Sequence, residues 1–107
     1  MRVAVLGGPP ALSDILAASR RLGGRFDVIV LCASSRVALE RGLPGALRAR
    51  EERGALWIAW PKRSSGVQTD LSDASVREIG LQTGLVDSKV CAIDETWSAL
   101  RFVARRA

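Results

Sequence analysis

The chain reads as an α/β domain. Its expected architecture is a small, mostly parallel sheet in the order β-α-β-α-β-α-β-β, closed by a C-terminal antiparallel hairpin. Three observations point there. Strand-like apolar runs alternate with stretches of helical spacing, which implies crossover connections and parallel pairing. Two of those runs, Asp27–Ala33 and Ala55–Trp60, are apolar at both alternations, as in strands covered on both faces. The last two runs, Val86–Ile93 and Ser98–Arg105, are separated only by Asp94-Glu95-Thr96-Trp97, the length of a hairpin turn.

The elements follow in order. Arg2–Leu6 is a short β-rich run stopped by Gly7-Gly8. Pro9 and Pro10 suit a helix start, where a missing N–H costs nothing. Leu12, Ile15, Leu16 and Leu22 then recur at helical spacing until Gly23-Gly24. After the strand Asp27–Ala33, Ser34 or Ser35 can cap a second helix through Val37, Ala38 and Leu39. Pro44 is expected to restart that helix, and Leu47 carries its stripe into the charged stretch Arg48–Arg53. Gly54 closes the segment before the strand Ala55–Trp60. Asp70 or Ser72 can cap a third helix with Val76 and Ile79 inward, and Gly84 suits its end.

Composition sets the outer bounds. The 107 residues are expected to form one domain, 1–107, with 48% apolar residues and no need of staples. Cys32 and Cys91 sit in apolar runs and read as core thiols of a reducing compartment. No apolar run approaches the ~20 residues of a membrane span, and the start does not read as a signal peptide. The expected location is cytoplasmic, without membrane contact. The net charge of +5 comes from 14 Arg and 2 Lys against 11 acids, spread over all elements. A solvated basic surface is the plainer reading; a nucleic-acid footprint is the other.

There is no histidine. Ser-His-Asp and Cys-His catalysis are therefore excluded. Two cysteines alone cannot complete a zinc shell. The usual general base for neutral pH is missing as well. No catalytic residue, metal ligand or resident cofactor is assigned from the sequence. Asp94 and Glu95 are adjacent, and neighbours in a turn seldom face one substrate.

The segment Trp60-Pro61-Lys62-Arg63-Ser64-Ser65-Gly66-Val67-Gln68-Thr69-Asp70-Leu71 stands out. It reads as a strand ending in a cationic, Ser/Gly-rich loop that leads into a helix. Helix starts favour anions, and ligands of open α/β sheets sit beyond the carboxyl ends of the strands. The candidate ligand set is Lys62, Arg63, Ser64, Ser65 and Gly66, with Ser34 and Ser35 from the neighbouring strand end and Asp94 and Trp97 from the hairpin turn. A small anionic ligand is the class this set admits. The competing reading is a salt bridge from Lys62 or Arg63 to Asp94 or Glu95, with Trp97 as a packing lid.

Residues 54–105 resemble an uncharacterised family of small bacterial proteins, a domain of unknown function. The resemblance is carried by Leu56-Trp57-Ile58-Ala59-Trp60-Pro61-Lys62, Ser65-Gly66, Thr69-Asp70-Leu71, Val76-Arg77-Glu78, Gly84-Leu85-Val86-Asp87, Lys89-Val90-Cys91-Ala92 and Asp94-Glu95-Thr96-Trp97-Ser98. It implies a bacterial source and no assigned activity. The family commonly has a segment before the first strand, where this chain begins. More distantly, the element order resembles a class I methyltransferase sheet that has lost two strands, a truncated Rossmann-like arrangement. That fold would place an acid and a Gly-rich turn after the first strand, and a ribose-binding acid after the next. Here the first turn is Gly7-Gly8-Pro9-Pro10 with nothing acidic before it. The second strand ends in Ser34-Ser35-Arg36, also without an acid.

The functional expectation is a non-catalytic interaction or ligand-sensing module. An enzyme, or enzyme remnant, with a nucleotide-like cofactor is the alternative; a basic nucleic-acid-associated protein is a third. If the first three strands are laid down in one direction, all three helices fall on one face. A homodimer or a partner protein is then expected on the other face, with Trp57 or Trp60 in the contact.

Overall fold

The computed structural model describes residues 2–8 and 24–105. The helix expected from Pro9 to Leu22 lies outside the described residues. The described elements are β1 (Val3–Leu6), β2 (Phe26–Cys32), α1 (Arg36–Ala49), β3 (Arg50–Pro61), α2 (Asp73–Leu81), β4 (Val86–Ala92) and β5 (Trp97–Val103), with a single 3-10 turn at Arg63–Ser65. The sheet order is β1-β2-β3-β5-β4. β1, β2 and β3 pair in parallel, while β5 is antiparallel to both β3 and β4. This is the expected mixed sheet, with strands one to three laid down in a single direction. Among the described residues no helix is long and apolar enough to cross a membrane.

The two apolar alternations of β2 and β3 divide between two clusters. Ile29, Leu31, Leu56, Ile58 and Trp60 pack with Leu39, Leu43, Ala46 and Ala49 of α1 and Val76 and Ile79 of α2. Val30, Cys32 and Ala59 pack on the opposite face with Val5 and Ala99. Both described helices therefore cover the same face. Trp60 belongs to the helix-covered side and is 5% exposed. Trp57 lies on the other side, half-buried beside Ile93 and Trp97. Of the two tryptophans expected at an interface, Trp57 alone is on the face opposite α1 and α2. Ala59 and Ala99 there have no exposure, so the middle of that face is not bare.

The helix starts are capped by short hydroxyl side chains. Ser35 Oγ accepts from the Ala38 N–H at 3.1 Å at the head of α1. Ser72 and Ser75 bond reciprocally at the head of α2, a closed capping box. Asp70 does not cap its own helix; its Oδ1 accepts from the Arg36 N–H at 2.8 Å, tying the β3–α2 loop to the first turn of α1. Pro44 does not restart α1, which runs unbroken through it. Pro44 is exposed there, so the carbonyl left without a proline N–H can turn to water.

β3 begins earlier than its apolar run implies. Phe26 pairs with Arg50, then Val28 pairs with Ala55, and residues 51–54 are accommodated by a shift in register. Arg50 Nη1 donates to the carbonyls of Glu51, Glu52 and Gly54 at 2.9–3.0 Å and holds that excursion together. A Cβ at Gly54 would lie 2.8 Å from the Asp27 carbonyl oxygen, so the close approach requires glycine.

Gly80 gives a direct test of packing. It is buried in α2, and a Cβ there would overlap the ring of Phe102, which has no exposure and nowhere to retreat. Gly80→Ala gains helix propensity worth up to about 1 kcal/mol but overpacks the core, a change that costs about 1–3 kcal/mol. We expect net destabilisation and a lower Tm by calorimetry; an unchanged or raised Tm would contradict this packing.

Candidate functional site

Three connections meet at the carboxyl edge of the central strands. The β2–α1 loop arrives with Ser34, Ser35 and Arg36. The β3–α2 loop runs from Lys62 to Ser72. The hairpin turn Asp94–Thr96 docks beside it, since the Lys62 N–H donates to the Thr96 carbonyl at 2.7 Å. The convergence expected from strand order is present.

Most of the candidate ligand groups, however, are already engaged in holding these loops. Lys62 Nζ donates to the main-chain carbonyl of Asp94 at 2.5 Å, not to its carboxylate. Asp94 Oδ1 instead accepts from the N–H groups of Thr96 and Trp97 at 2.8 and 2.7 Å and shapes the turn. Neither Lys62 nor Arg63 forms an ion pair with Asp94 or Glu95 among the described residues. Ser65 Oγ donates to the Lys62 carbonyl at 2.6 Å and accepts from the Val67 N–H at 3.2 Å. Gly66 ends the 3-10 turn at φ 77°, a conformation that glycine adopts without strain. Ser35 is a helix cap, and Ser34 and Ser64 are exposed. Trp97 packs on the face opposite α1 and α2 and is no lid over Lys62.

Lys62 and Arg63 alone of the candidate set border a cavity of about 380 Å³. Its other walls come from Trp60 and Pro61 of β3, Leu71 to Ala74 at the head of α2, Val90 of β4 and Ser98 of β5. Sequence reasoning missed Leu71, Ala74, Val90 and Ser98 as walls. Val90 offered one signal: it is an apolar residue on an edge strand and is 49% exposed. Across the cavity Asp73 is paired with Arg77 at 2.7 Å, and Arg77 also reaches Asp87 at 3.0 Å, which fastens α2 to β4. Among the described residues no group of three or more metal-ligating side chains occurs.

The turn after β1 is built differently. Gly7 has φ 72°, and a Cβ on it would lie 2.6 Å from the Cys32 carbonyl oxygen. A Cβ on Gly8 would lie 2.7 Å from Cys32 Sγ. These glycines let the end of β1 press against the end of β2.

The chain is similar in structure to class I methyltransferases. Magnesium protoporphyrin IX methyltransferase from Synechocystis PCC 6803, solved with bound S-adenosylmethionine, superposes with a TM-score of 0.65 at 13% identity, over 98% of this chain and 70% of that one. An N-methyltransferase from Bradyrhizobium japonicum gives 0.59 at 14% identity, over 98% and 74%. A methyltransferase from Pyrococcus furiosus gives 0.53 at 14% identity, over 95% and 62%. No protein-family model and no curated protein matches the chain. The fold is thus a truncated, methyltransferase-like α/β sheet.

The segment Ser34-Ser35-Arg36 after β2 carries no acid of its own; the carboxylate beside it is that of Asp70 from the β3–α2 loop, which accepts from the Arg36 N–H.

Cys32 itself is a free, buried thiol, and burial pushes its pKa from 9.0 up to about 11. Cys91 is free and half-buried. β3 and β5 lie between their strands, so three spacings of about 4.8 Å separate them, too far for a disulfide. A raised acid pKa means the folded state holds the proton more tightly. Its stability contribution is complete below pH 9 and is lost as pH rises toward 11, by up to about 2–3 kcal/mol. Urea unfolding across pH 8–11 is expected to show this loss in the native chain and not in Cys32→Ala. Parallel curves for the two proteins would contradict the assignment.

Proposed function

We propose that the chain is a non-catalytic ligand-binding module on a methyltransferase-like sheet. In this reading it takes a small anion at Lys62 and Arg63 and leaves the corner after β1 unused. The observation that carries it is the cavity beside the two cations, since a few convergent polar groups on apolar walls are what a small-molecule site needs. The resemblance of residues 54–105 to a bacterial family without assigned activity belongs to the same proposal. So does a reducing cytoplasm, in which free Cys32 and Cys91 would persist.

Calorimetry with S-adenosylmethionine is expected to give no binding at micromolar concentrations; a micromolar Kd would overturn the reading that the corner after β1 is unused. A thermal-shift panel of small anions is expected to include at least one that stabilises the native chain and not Arg63→Ala. Arg63 is exposed, and no hydrogen bond or ion pair engages its side chain among the described residues, so its removal leaves the fold intact. Stabilisation that survives Arg63→Ala would overturn the anion site.

A second observation supports a protein partner. On the face opposite α1 and α2, Trp57, Cys91, Ile93 and Trp97 are only half-buried while the residues between them are covered. We propose self-association there, with Trp57 in the contact. Light scattering at micromolar concentration is expected to give twice the chain mass, and Trp57→Ala to lower it; the chain mass alone at every concentration would contradict the dimer.

A further inference from the structure

We infer that the cavity at the end of β3 takes a hydrophobic monocarboxylate, with an aromatic or short acyl body against Trp60, Leu71 and Val90 and its carboxylate on Arg63 and Lys62. The inference rests on the anion-binding reading of those two cations and adds the class of ligand.

The first argument concerns the helix start. A phosphate would ordinarily use the free N–H groups there. At the head of α2 two of them are engaged in the capping box: Ser72 Oγ accepts from the Ser75 N–H at 3.2 Å, and the Ser72 N–H donates to Ser75 Oγ at 2.8 Å. The Asp73 carboxylate occupies the same turn, bonded to Arg77. A dianion on that wall would meet the negative charge of Asp73. Charge recognition is left to the opposite rim. Lys62 has committed one N–H to the Asp94 carbonyl, and a carboxylate matches the planar fork of the Arg63 guanidinium.

The second argument concerns the walls. Ala74 and Val90 supply accessible apolar surface that an inorganic anion would not use, with Trp60, Pro61 and Leu71 buried behind it as the floor. Val90 is one of four large hydrophobic side chains strongly exposed among the described residues, and it faces this cavity. About 380 Å³ is at the small end of ligand sites, suited to a ring or a short chain with one head group.

Calorimetric titration with phenylacetate, octanoate, phenylacetamide and inorganic phosphate tests this. At least one of the two acids is expected to bind, with phenylacetamide tenfold or more weaker than phenylacetate and inorganic phosphate not competing. Arg63→Ala is expected to weaken the bound acid about tenfold or more, the loss of a charge-assisted hydrogen bond. Ala74→Trp, a change at an exposed position on the cavity wall, is expected to abolish binding while circular dichroism stays native. Equal affinity for the amide, or no effect of Arg63→Ala, would overturn the inference. Arg63-dependent phosphate binding with both acids silent would overturn the ligand class and leave the anion site standing. Silence from every anion would overturn both.

Discussion

The structure depends on β3 being buried on both faces. It is the middle strand, paired in parallel with β2 on one side and antiparallel with β5 on the other. Leu56, Ile58 and Trp60 point to the helices, and Ala59 to the opposite cluster, each at 0–5% exposure. The part of β3 in that position, Ala55–Pro61, has almost no side to give to water and is apolar throughout. Its end then fixes the candidate site. Pro61 carries no N–H for the ladder, and the chain leaves the sheet at Lys62, whose N–H takes the Thr96 carbonyl of the hairpin turn. The two cations are delivered to the edge by that departure, between the head of α2 and the sheet.

Much of this was legible in the sequence because burial is written in residue type. The two-faced strands and the hairpin follow from apolar runs and their spacing; the order of the first three strands was a condition that the structure meets, and the place of β5 between β3 and β4 came only with the structure. What was not legible rests on backbone contacts. The charged stretch from Arg50 to Arg53 reads as the end of a helix, yet it begins β3, because Arg50 gathers three carbonyls and Gly54 approaches β2 too closely for a side chain. Pro44 reads as an interruption, but an exposed helix position tolerates it. Ser35 reads both as a cap and as a ligand group, and it caps α1; Ser65 and Asp94 read as ligand groups, and in the structure their side chains bond to the backbone of their own turns. The ambiguity is physical: the short polar side chains that satisfy loose backbone N–H groups are the same ones that would meet a ligand. Beyond Lys62, Arg63 and the apolar Val90 on its edge strand, the cavity walls could not be read, since Trp60, Leu71 and Ser98 join them only when four elements assemble.

The sheet shared with methyltransferases does not by itself carry their chemistry. In such a sheet the carboxyl edge can offer more than one crevice. Here the glycine turn after β1 packs on Cys32, and the crevice after β3 is apolar in its walls and cationic at its rim. The binding we propose is displaced: the same edge, a different strand end.

Amide chemical-shift mapping tests that displacement most directly, because it reports where a ligand sits as well as whether it binds. With phenylacetate and with S-adenosylmethionine added separately to the labelled chain, the account predicts perturbations for the acid at Lys62, Arg63, Leu71 to Ala74, Val90 and Ser98, and none for either compound at Gly7, Gly8 and Ser34 to Arg36. Perturbations by S-adenosylmethionine clustered at the glycine turn and the end of β2, with the β3 cavity silent, would contradict it.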